Sequence, residues 1–173
     1  IPCGQLASRS SGRLDTGEML RRLYATDASA YQELPAGVVF PASEEDLGGV
    51  IRFARRHRLG LIPRAAGTSL AGQCVGDGLV VDISKHFTRI LSVDEKTRRV
   101  CVQPGVVRDE LNRFLAPREM LFGPETSTAN RAMMGGMVGN NSCGSNSIVY
   151  GSTRDHLVSL KGFLSDGSEV TIE

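Results

Sequence analysis

The chain has 173 residues, of which 40% are hydrophobic and 23% are charged, and its formal net charge is +1. These values are ordinary for one soluble globular domain, and the near-neutral charge argues against a nucleic-acid binder that relies on phosphate contacts. No apolar run approaches the ~20 residues of a membrane-spanning helix, so we expect no transmembrane segment.

The N-terminal segment, residues 1–33, is polar and weakly patterned. Met19, Leu20 and Leu23 indicate one short helix within it. The apolar stretch at 34–41 then predicts a short buried strand that enters a turn.

A helix followed by a second strand comes next. Ser43 is expected to cap the start of this helix, and Gly60 is expected to end it in the left-handed conformation. Residues 61–63 predict the second strand. A strand, a helix and a strand over this distance indicate a small βαβ unit with a parallel pair, and ligand loops belong at its carboxyl edge.

The remaining residues predict further strands and one amphipathic helix. Residues 79–84 indicate a third apolar strand, and residues 90–94 and 99–103 indicate a hairpin. The helix is predicted over 107–115. Its inward side chains are expected to be Val107, Leu111, Phe114 and Leu115.

A second hairpin is predicted within residues 157–172, with Asp166 and Gly167 in its turn. The fold class that these elements indicate is mixed α/β (α+β). A small parallel βαβ part is followed by an antiparallel part with helices.

The first of two glycine-rich runs spans residues 63–72. Its consecutive backbone N–H groups, its hydroxyls and the cation of Arg64 can hold an anion such as a pyrophosphate. The run lacks the lysine of a P-loop and the three-glycine spacing of a Rossmann turn, which disfavours those two sites. The alternative is a surface turn that needs glycine for its backbone angles.

The second run spans residues 135–144 and is expected to enter a helix near Met137. Asn140, Asn141 and Ser142 can donate and accept hydrogen bonds with a ring edge, a ribose or a phosphate. The alternative is a tight helix–turn in which the asparagines satisfy their own backbone.

The other reactive side chains are isolated. His57 is interpreted as a helix cap, His86 as an exposed loop residue and His156 as a packed, hydrogen-bonded residue. Cys143 is interpreted as a small buried filler, and the absence of a C-x-x-C pair predicts reduced thiols and no metal site. These patterns assign no catalytic residue.

Six motifs occur in a fixed order. They are LYATDASAY at 23–31, PRAAGTSLAGQ at 63–73, VQPG at 102–105, FGP at 122–124, GGMVGNNSCG at 135–144 and YGST at 150–153. In this order they resemble the FAD-binding domain of the vanillyl-alcohol oxidase/p-cresol methylhydroxylase (PCMH-type) flavoprotein superfamily. The resemblance is strongest to its D-lactate, glycolate and D-2-hydroxyglutarate dehydrogenase branch, and it implies that residues 34–173 are most of such a domain.

The resemblance also implies which residues touch the cofactor. The loop that holds the FAD pyrophosphate would be Arg64, Ala65, Ala66, Gly67, Thr68 and Ser69. The residues near the flavin ring or ribityl chain would be Pro124, Ser127 and Thr128. Those lining the cofactor from the other side would be Gly135, Gly136, Gly139, Asn140, Asn141 and Ser142, with Ser152 and Thr153 nearby. No histidine occupies the first loop, where some relatives attach flavin, so FAD is expected to be non-covalent.

The implied activity is that of an FAD-dependent dehydrogenase or oxidase of a small D-2-hydroxy acid of the lactate, glycolate or 2-hydroxyglutarate type. A hydride would pass from the substrate α-carbon to the flavin, and the electrons would leave to a downstream acceptor. The catalytic residues, a substrate domain and an iron–sulfur region found in large bacterial members would lie outside these 173 residues. The piece alone is therefore expected to be inactive, and the protein is expected to be cytoplasmic, with peripheral membrane association left open.

Two alternatives remain open. The family usually has glycines in place of Ala65 and Ala66, whose methyl groups restrict positive φ; this favours a nucleotide-binding or interaction module without flavin chemistry. The other alternative is a flavin-dependent reductase of cell-wall sugar synthesis, which the stretch at 140–144 disfavours.

Overall fold

A computed structural model describes residues 13–173, which form two compact units. The first unit contains residues 13–86 together with Ser159–Glu173, and the second contains Phe87–Val158. The strands are β1 (Arg13–Asp15), β2 (Gly37–Phe40), β3 (Leu61–Arg64), β4 (Leu79–Asp82), β5 (Ile90–Asp94), β6 (Arg99–Val102), β7 (Leu160–Phe163) and β8 (Glu169–Ile172). The α-helices are α1 (Glu18–Leu23), α2 (Glu44–His57), α3 (Arg108–Leu115), α4 (Met134–Gly139) and α5 (Ser147–Tyr150), with 3-10 turns at Ala116–Arg118 and Thr153–His156. None of the helices within 13–173 is both long and apolar enough to cross a membrane.

The first unit contains a four-stranded sheet in the order β1-β2-β4-β3. β2 and β3 each pair with β4 in parallel, and β1 pairs with β2 antiparallel. The predicted direct pair of β2 and β3 is therefore wrong, because β4 lies between them. Burial explains the order: every residue of β2 and β4 is buried, whereas β3 carries the exposed Pro63, which suits an edge strand.

Helices cover both faces of this sheet. Val39 and Val81 pack with Val50 of α2 on one face. Val38 and Val80 pack on the other face, against partly buried residues of α1 and its C-terminal end. Alternate strand residues point to opposite faces, so a sheet covered on both sides needs continuous apolar strands.

Helix α2 begins as predicted and ends differently. Ser43 Oγ accepts a hydrogen bond from the backbone N–H of Asp46 at 3.1 Å, which confirms the N-cap. The residue in the left-handed conformation is Arg58, with φ of 53°, and not Gly60. The N–H groups of Arg58 and Leu59 donate to the carbonyls of Arg55 and Ala54, so the Schellman cap closes two residues earlier than expected.

The second unit is built on the β5–β6 hairpin and helix α3. Leu111 and Leu115 are buried in its core, as predicted, but Phe114 is 36% exposed and its inward placement was wrong. The guanidinium of Arg118 lies 4.3 Å from the centroid of the Phe114 ring, so the ring packs against a cation at the surface. Val107 precedes the helix as its N-cap residue.

The C-terminal hairpin, β7–β8, belongs to the first unit. Its turn contains Gly167 at a φ of +86°, as the Asp-Gly signal predicted, and its first strand begins at Leu160. Lys161 of β7 donates to Glu44 of α2 at 2.8 Å, which ties the hairpin to the helix in the same unit. The mixed α/β class with parallel and antiparallel sheets is confirmed.

Candidate functional site

The first glycine-rich run leaves the sheet at the carboxyl end of β3. β3 ends at Arg64, and the loop at 65–70 follows it directly. None of the six backbone N–H groups of this loop donates a hydrogen bond to a protein atom within residues 13–173. Residues 65–69 are all at least half-buried, with Ser69 only 8% exposed. Successive backbone amides without a protein acceptor favour an anionic ligand, so this loop offers donors to an acceptor from outside the described residues.

The backbone of this loop accommodates its two alanines. Gly67 has a φ of +65°, a conformation that favours glycine. Ala65 and Ala66 are not among the residues with positive φ, so their methyl groups cause no backbone strain. The two alanines therefore do not disfavour a ligand-binding loop through their backbone conformation.

The hydroxyl groups of the loop have different surroundings. Ser69 Oγ donates to Gln73 Oε1 at 2.5 Å and accepts from the N–H of Ala71 at 3.2 Å, which fixes the turn that follows. The Thr68 hydroxyl has no hydrogen-bond partner within the described part of the chain. Thr68 is therefore the side chain of this loop whose hydroxyl is free to bind a ligand oxygen.

The guanidinium of Arg64 turns back from the loop into its own unit. Its Nη1 donates to the carbonyl of Thr26 at 2.8 Å, and its Cζ lies 5.0 Å from the centroid of the Tyr24 ring. The sequence indicated Arg64 as a phosphate contact and indicated no role for residues 24–28. The motif at 23–31 was the signal that this segment matters.

The second run is a short helix followed by its cap. Helix α4 starts at Met134, three residues before the expected position, because Met134 and Met137 are buried in the core of the second unit. The N–H of Ser142 donates to Met137 O at 2.8 Å, and that of Asn141 donates to Val138 O at 3.1 Å. Asn141 has a φ of 46°, so the three residues after α4 form a Schellman motif.

This motif pairs the backbone amides of the three residues that the sequence indicated as hydrogen-bonding candidates. The N–H groups of Asn140, Asn141 and Ser142 all donate to carbonyls of the preceding helix. Asn141 Oδ1 also accepts from the N–H of Arg154 at 2.9 Å. The Asn140 side chain is exposed and has no hydrogen-bond partner among residues 13–173, so it is the free amide of this group.

Two glycines of the second run differ in what surrounds them. A Cβ on Gly135 would lie 2.6 Å from Pro104 Cβ, and the N–H of Gly135 donates to Pro104 O at 2.7 Å. Gly135 therefore permits a close approach of two backbone segments inside the second unit. A Cβ on Gly139 would meet no protein atom within 4 Å, and Gly139 is exposed.

Ser152 and Thr153 lie beside Ser142 in the second unit. Thr153 is 2% exposed, and its Oγ1 donates to Ser142 O at 2.7 Å. Ser152 donates from its backbone N–H and its hydroxyl to Asp155 Oδ2, at 2.7 and 2.9 Å. Both hydroxyls thus stabilise the turn at 153–156 and hold it against the end of the second run.

Helix α3 fixes the loop at 122–128. Arg108 Nε donates to Pro124 O at 3.1 Å, and Asn112 exchanges two hydrogen bonds with the backbone of Phe122. Pro124 is buried, whereas Ser127 is exposed. Thr128 is half-buried, and its Oγ1 lies 3.3 Å from that of Thr126.

The isolated reactive residues have the following surroundings. His86 is exposed, and His156 packs against the Phe122 ring at 5.5 Å and hydrogen-bonds Tyr150 O at 2.7 Å, both as predicted. Cys143 is exposed, which corrects its interpretation as a buried filler. Within residues 13–173, no three His, Cys, Asp or Glu side chains form a cluster that could hold a metal ion.

The structure thus places the predicted cofactor residues in both units. The first unit contains the loop at 64–69. The second contains the cap at 140–142 with Ser152 and Thr153, and helix α3 holds Pro124 in the same unit.

Comparison with known proteins identifies a family and several relatives. The model of the FAD binding domain family matches residues 35–173. The chain is 40% identical over 162 residues to D-2-hydroxyglutarate dehydrogenase of Pseudomonas putida, an alignment that covers 92% of this chain and 16% of that protein. It is 32% identical over 149 residues to glycolate oxidase subunit GlcD of Bacillus subtilis, covering 85% of this chain and 32% of that protein. The chain therefore spans a minor part of the curated relatives it matches.

Solved structures share the fold at lower identity. An alkyldihydroxyacetonephosphate synthase superimposes with a TM-score of 0.88 at 20% identity and covers 100% of this chain and 38% of its own. A xylooligosaccharide oxidase from Myceliophthora thermophila superimposes with a TM-score of 0.75 at 23% identity and covers 87% of this chain and 32% of its own.

Proposed function

The chain belongs to the FAD binding domain family, and from this premise we propose that it is the FAD-binding part of a flavin-dependent oxidoreductase that oxidises a D-2-hydroxy acid. The observation that carries the proposal is the loop at 65–70, whose six N–H groups have no acceptor within residues 13–173. A pyrophosphate supplies anionic oxygen acceptors, and FAD carries one. The residues present therefore fit the group chemically.

The cofactor and the residues of the chain then have different roles. When bound, FAD supplies the electron acceptor for the oxidation of the substrate. The chain's own residues bind and orient the cofactor: the amides of 65–70 and the Thr68 hydroxyl hold its phosphates, and the exposed Asn140 amide offers a donor and an acceptor to another part of it. The remaining predicted contacts, from Pro124, Ser127 and Thr128 to Ser152 and Thr153, stay part of the proposal.

The substrate class comes from the relatives. Four proteins named D-2-hydroxyglutarate dehydrogenase are 39–42% identical to this chain and a fifth is 31% identical. The glycolate oxidase subunit is 32% identical, and two D-lactate dehydrogenases are 30% and 26% identical. We therefore place 2-hydroxyglutarate first among the candidate acids. The electron acceptor, an iron–sulfur region and a cytoplasmic or membrane-peripheral location stay predictions.

Two measurements on the protein expressed from its complete gene test the proposal. The visible spectrum of the purified protein, with FAD added where needed, is expected to show bound flavin. Reduction of an artificial electron acceptor is then expected with at least one of D-2-hydroxyglutarate, glycolate and D-lactate. No flavin bound at any FAD concentration would contradict cofactor binding, and bound flavin with no turnover of these acids would contradict the substrate class alone.

A further inference from the structure

The guanidinium of Arg64 already has contacts on the side of its loop that faces the sheet. The guanidinium donates to the Thr26 carbonyl at 2.8 Å and lies over the Tyr24 ring at 5.0 Å. On its other side it touches Gly67: a Cβ on Gly67 would lie 2.5 Å from Arg64 Nη2 and 2.9 Å from its Cζ. The planar group is therefore enclosed between an aromatic ring and the backbone of the loop.

The Tyr24 ring is itself anchored to the sheet. Its hydroxyl donates to Asp82 Oδ2 at 2.5 Å, and Asp82, the last residue of β4, is 3% exposed. The other carboxylate oxygen of Asp82 accepts from the N–H of Ser84 at 2.7 Å. Burial and the neighbouring Asp82 carboxylate raise the pKa of Tyr24, so its hydroxyl stays protonated and remains a donor. A buried carboxylate thus fixes the ring, and the ring fixes the guanidinium.

The segment that carries Thr26 also binds the loop directly. The N–H of Ala28 donates to Gly67 O at 3.1 Å. Asp27 Oδ2 accepts from the N–H of Cys74 at 3.4 Å, beyond the far end of the loop. The loop is therefore held at Gly67 by a carbonyl bond and a guanidinium, while its own N–H groups stay unpaired.

From this geometry we propose that Arg64 is a positioning residue: it supports Gly67 from the sheet side and sets the loop at 65–70 in the shape that receives a pyrophosphate, which only the backbone amides and Thr68 contact. The inference rests on the proposed function. It assigns Arg64 contacts with the Thr26 carbonyl, the Tyr24 ring and Gly67, whereas a direct ligand would donate its hydrogen bonds to the phosphate itself.

The test measures FAD affinity in apoprotein expressed from the complete gene. Arg64→Lys keeps the charge and loses the planar donor, and it is expected to weaken FAD binding about tenfold. Arg56→Lys is the matched control: Arg56 is exposed on α2, and the same exchange is expected to leave the affinity unchanged.

A double-mutant cycle tests whether Arg64 acts through Gly67. Gly67→Ala places a methyl group against the Arg64 guanidinium. The loss of FAD affinity that Gly67→Ala causes is therefore expected to be several-fold smaller in the Arg64→Ala background than in the wild-type protein. The thermal midpoint of each apoprotein reports whether a loss of affinity comes from unfolding.

The outcomes are distinct. Wild-type protein that binds no FAD would overturn the proposed function and this inference with it. Wild-type protein that binds FAD, together with an Arg64→Lys variant of equal affinity or an additive cycle, would overturn the inference alone. Loss of affinity in parallel with loss of the folded apoprotein would also overturn it, because the role would then be structural only.

Discussion

Replacing Asn141 with alanine is expected to lower the free energy of unfolding of the chain by about 2 kcal/mol. Asn141 holds a φ of 46° in the Schellman motif after α4, and alanine in this conformation costs about 1 kcal/mol more than asparagine. The exchange also removes the acceptor for the N–H of Arg154, a hydrogen bond of 2.9 Å that contributes about 1 kcal/mol.

Two further variants separate these contributions. Asn141→Gly relieves the backbone and loses the acceptor, so its cost is expected to be about 1 kcal/mol or less. Asn140→Ala is the control, because that side chain is exposed and unpaired within residues 13–173, and its effect is expected to stay within about 0.5 kcal/mol. Urea denaturation at constant m-value measures all three. Equal destabilisation by alanine and glycine at position 141 would refute the backbone argument.

Three more expectations follow from the same contacts. Arg58→Gly removes a non-glycine residue from the left-handed cap of α2 and is expected to raise the free energy of unfolding by about 1 kcal/mol. Arg56→Gly lies within that helix and is expected to lower it by a similar amount. Urea midpoints measure both changes, and two changes of the same sign would contradict the role of Arg58 in the cap. Burial raises the pKa of Asp27, but hydrogen bonds from Ser29 and Cys74 and the charge of Arg64 outweigh it and leave the pKa below its ordinary 3.8. The contribution of the ionised Asp27 to stability is therefore complete above the ordinary pKa and is lost as pH falls through the lowered pKa. Asp27→Asn is expected to flatten the acid side of a curve of unfolding free energy against pH, and an unchanged curve would contradict this. Gly139→Ala is expected to keep the fold, because its methyl group meets no protein atom within 4 Å, and to weaken FAD binding, because the methyl group takes space that the proposal gives to the cofactor. Gly135→Ala is expected to destabilise the second unit, because its Cβ would lie 2.6 Å from Pro104 Cβ. Thermal midpoints and FAD affinity check both variants, and full affinity in Gly139→Ala would remove Gly139 from the cofactor site.

Local patterns predicted most of the fold because each depends on nearby residues. The cap at Ser43 needs only a hydroxyl three residues before a free N–H, and the strand at 37–40 needs only a short apolar run between turns. The Asp-Gly turn at Gly167 is equally local. These features require no knowledge of what packs against them.

The wrong predictions concern features of the fold that depend on residues outside the local pattern. Strand order depends on which strands are most deeply buried, so the insertion of β4 between β2 and β3 could not be read from the βαβ spacing. The end of α2 at Arg58 shows that hydrogen bonding of the cap outweighed the preference for glycine two residues later.

The candidate site also has parts that local sequence predicts and parts that it does not. The loop at 65–70 was predicted from its small residues and hydroxyls, and its unpaired amides agree with that interpretation. The support that Tyr24 and Asp82 give to Arg64 joins residues 58 positions apart in the chain, and no local pattern indicates it. For the second run, the backbone N–H groups of residues 140–142 close the end of α4, which agrees with the alternative of a tight helix–turn, and the sequence alone could not choose between the two interpretations.

The most direct test of the central claim is amide hydrogen exchange at residues 65–70, measured with and without saturating FAD. We expect fast exchange in the apoprotein, where these N–H groups have no acceptor within residues 13–173, and strong protection at these residues when FAD binds. Bound FAD with unchanged exchange at 65–70 would contradict it.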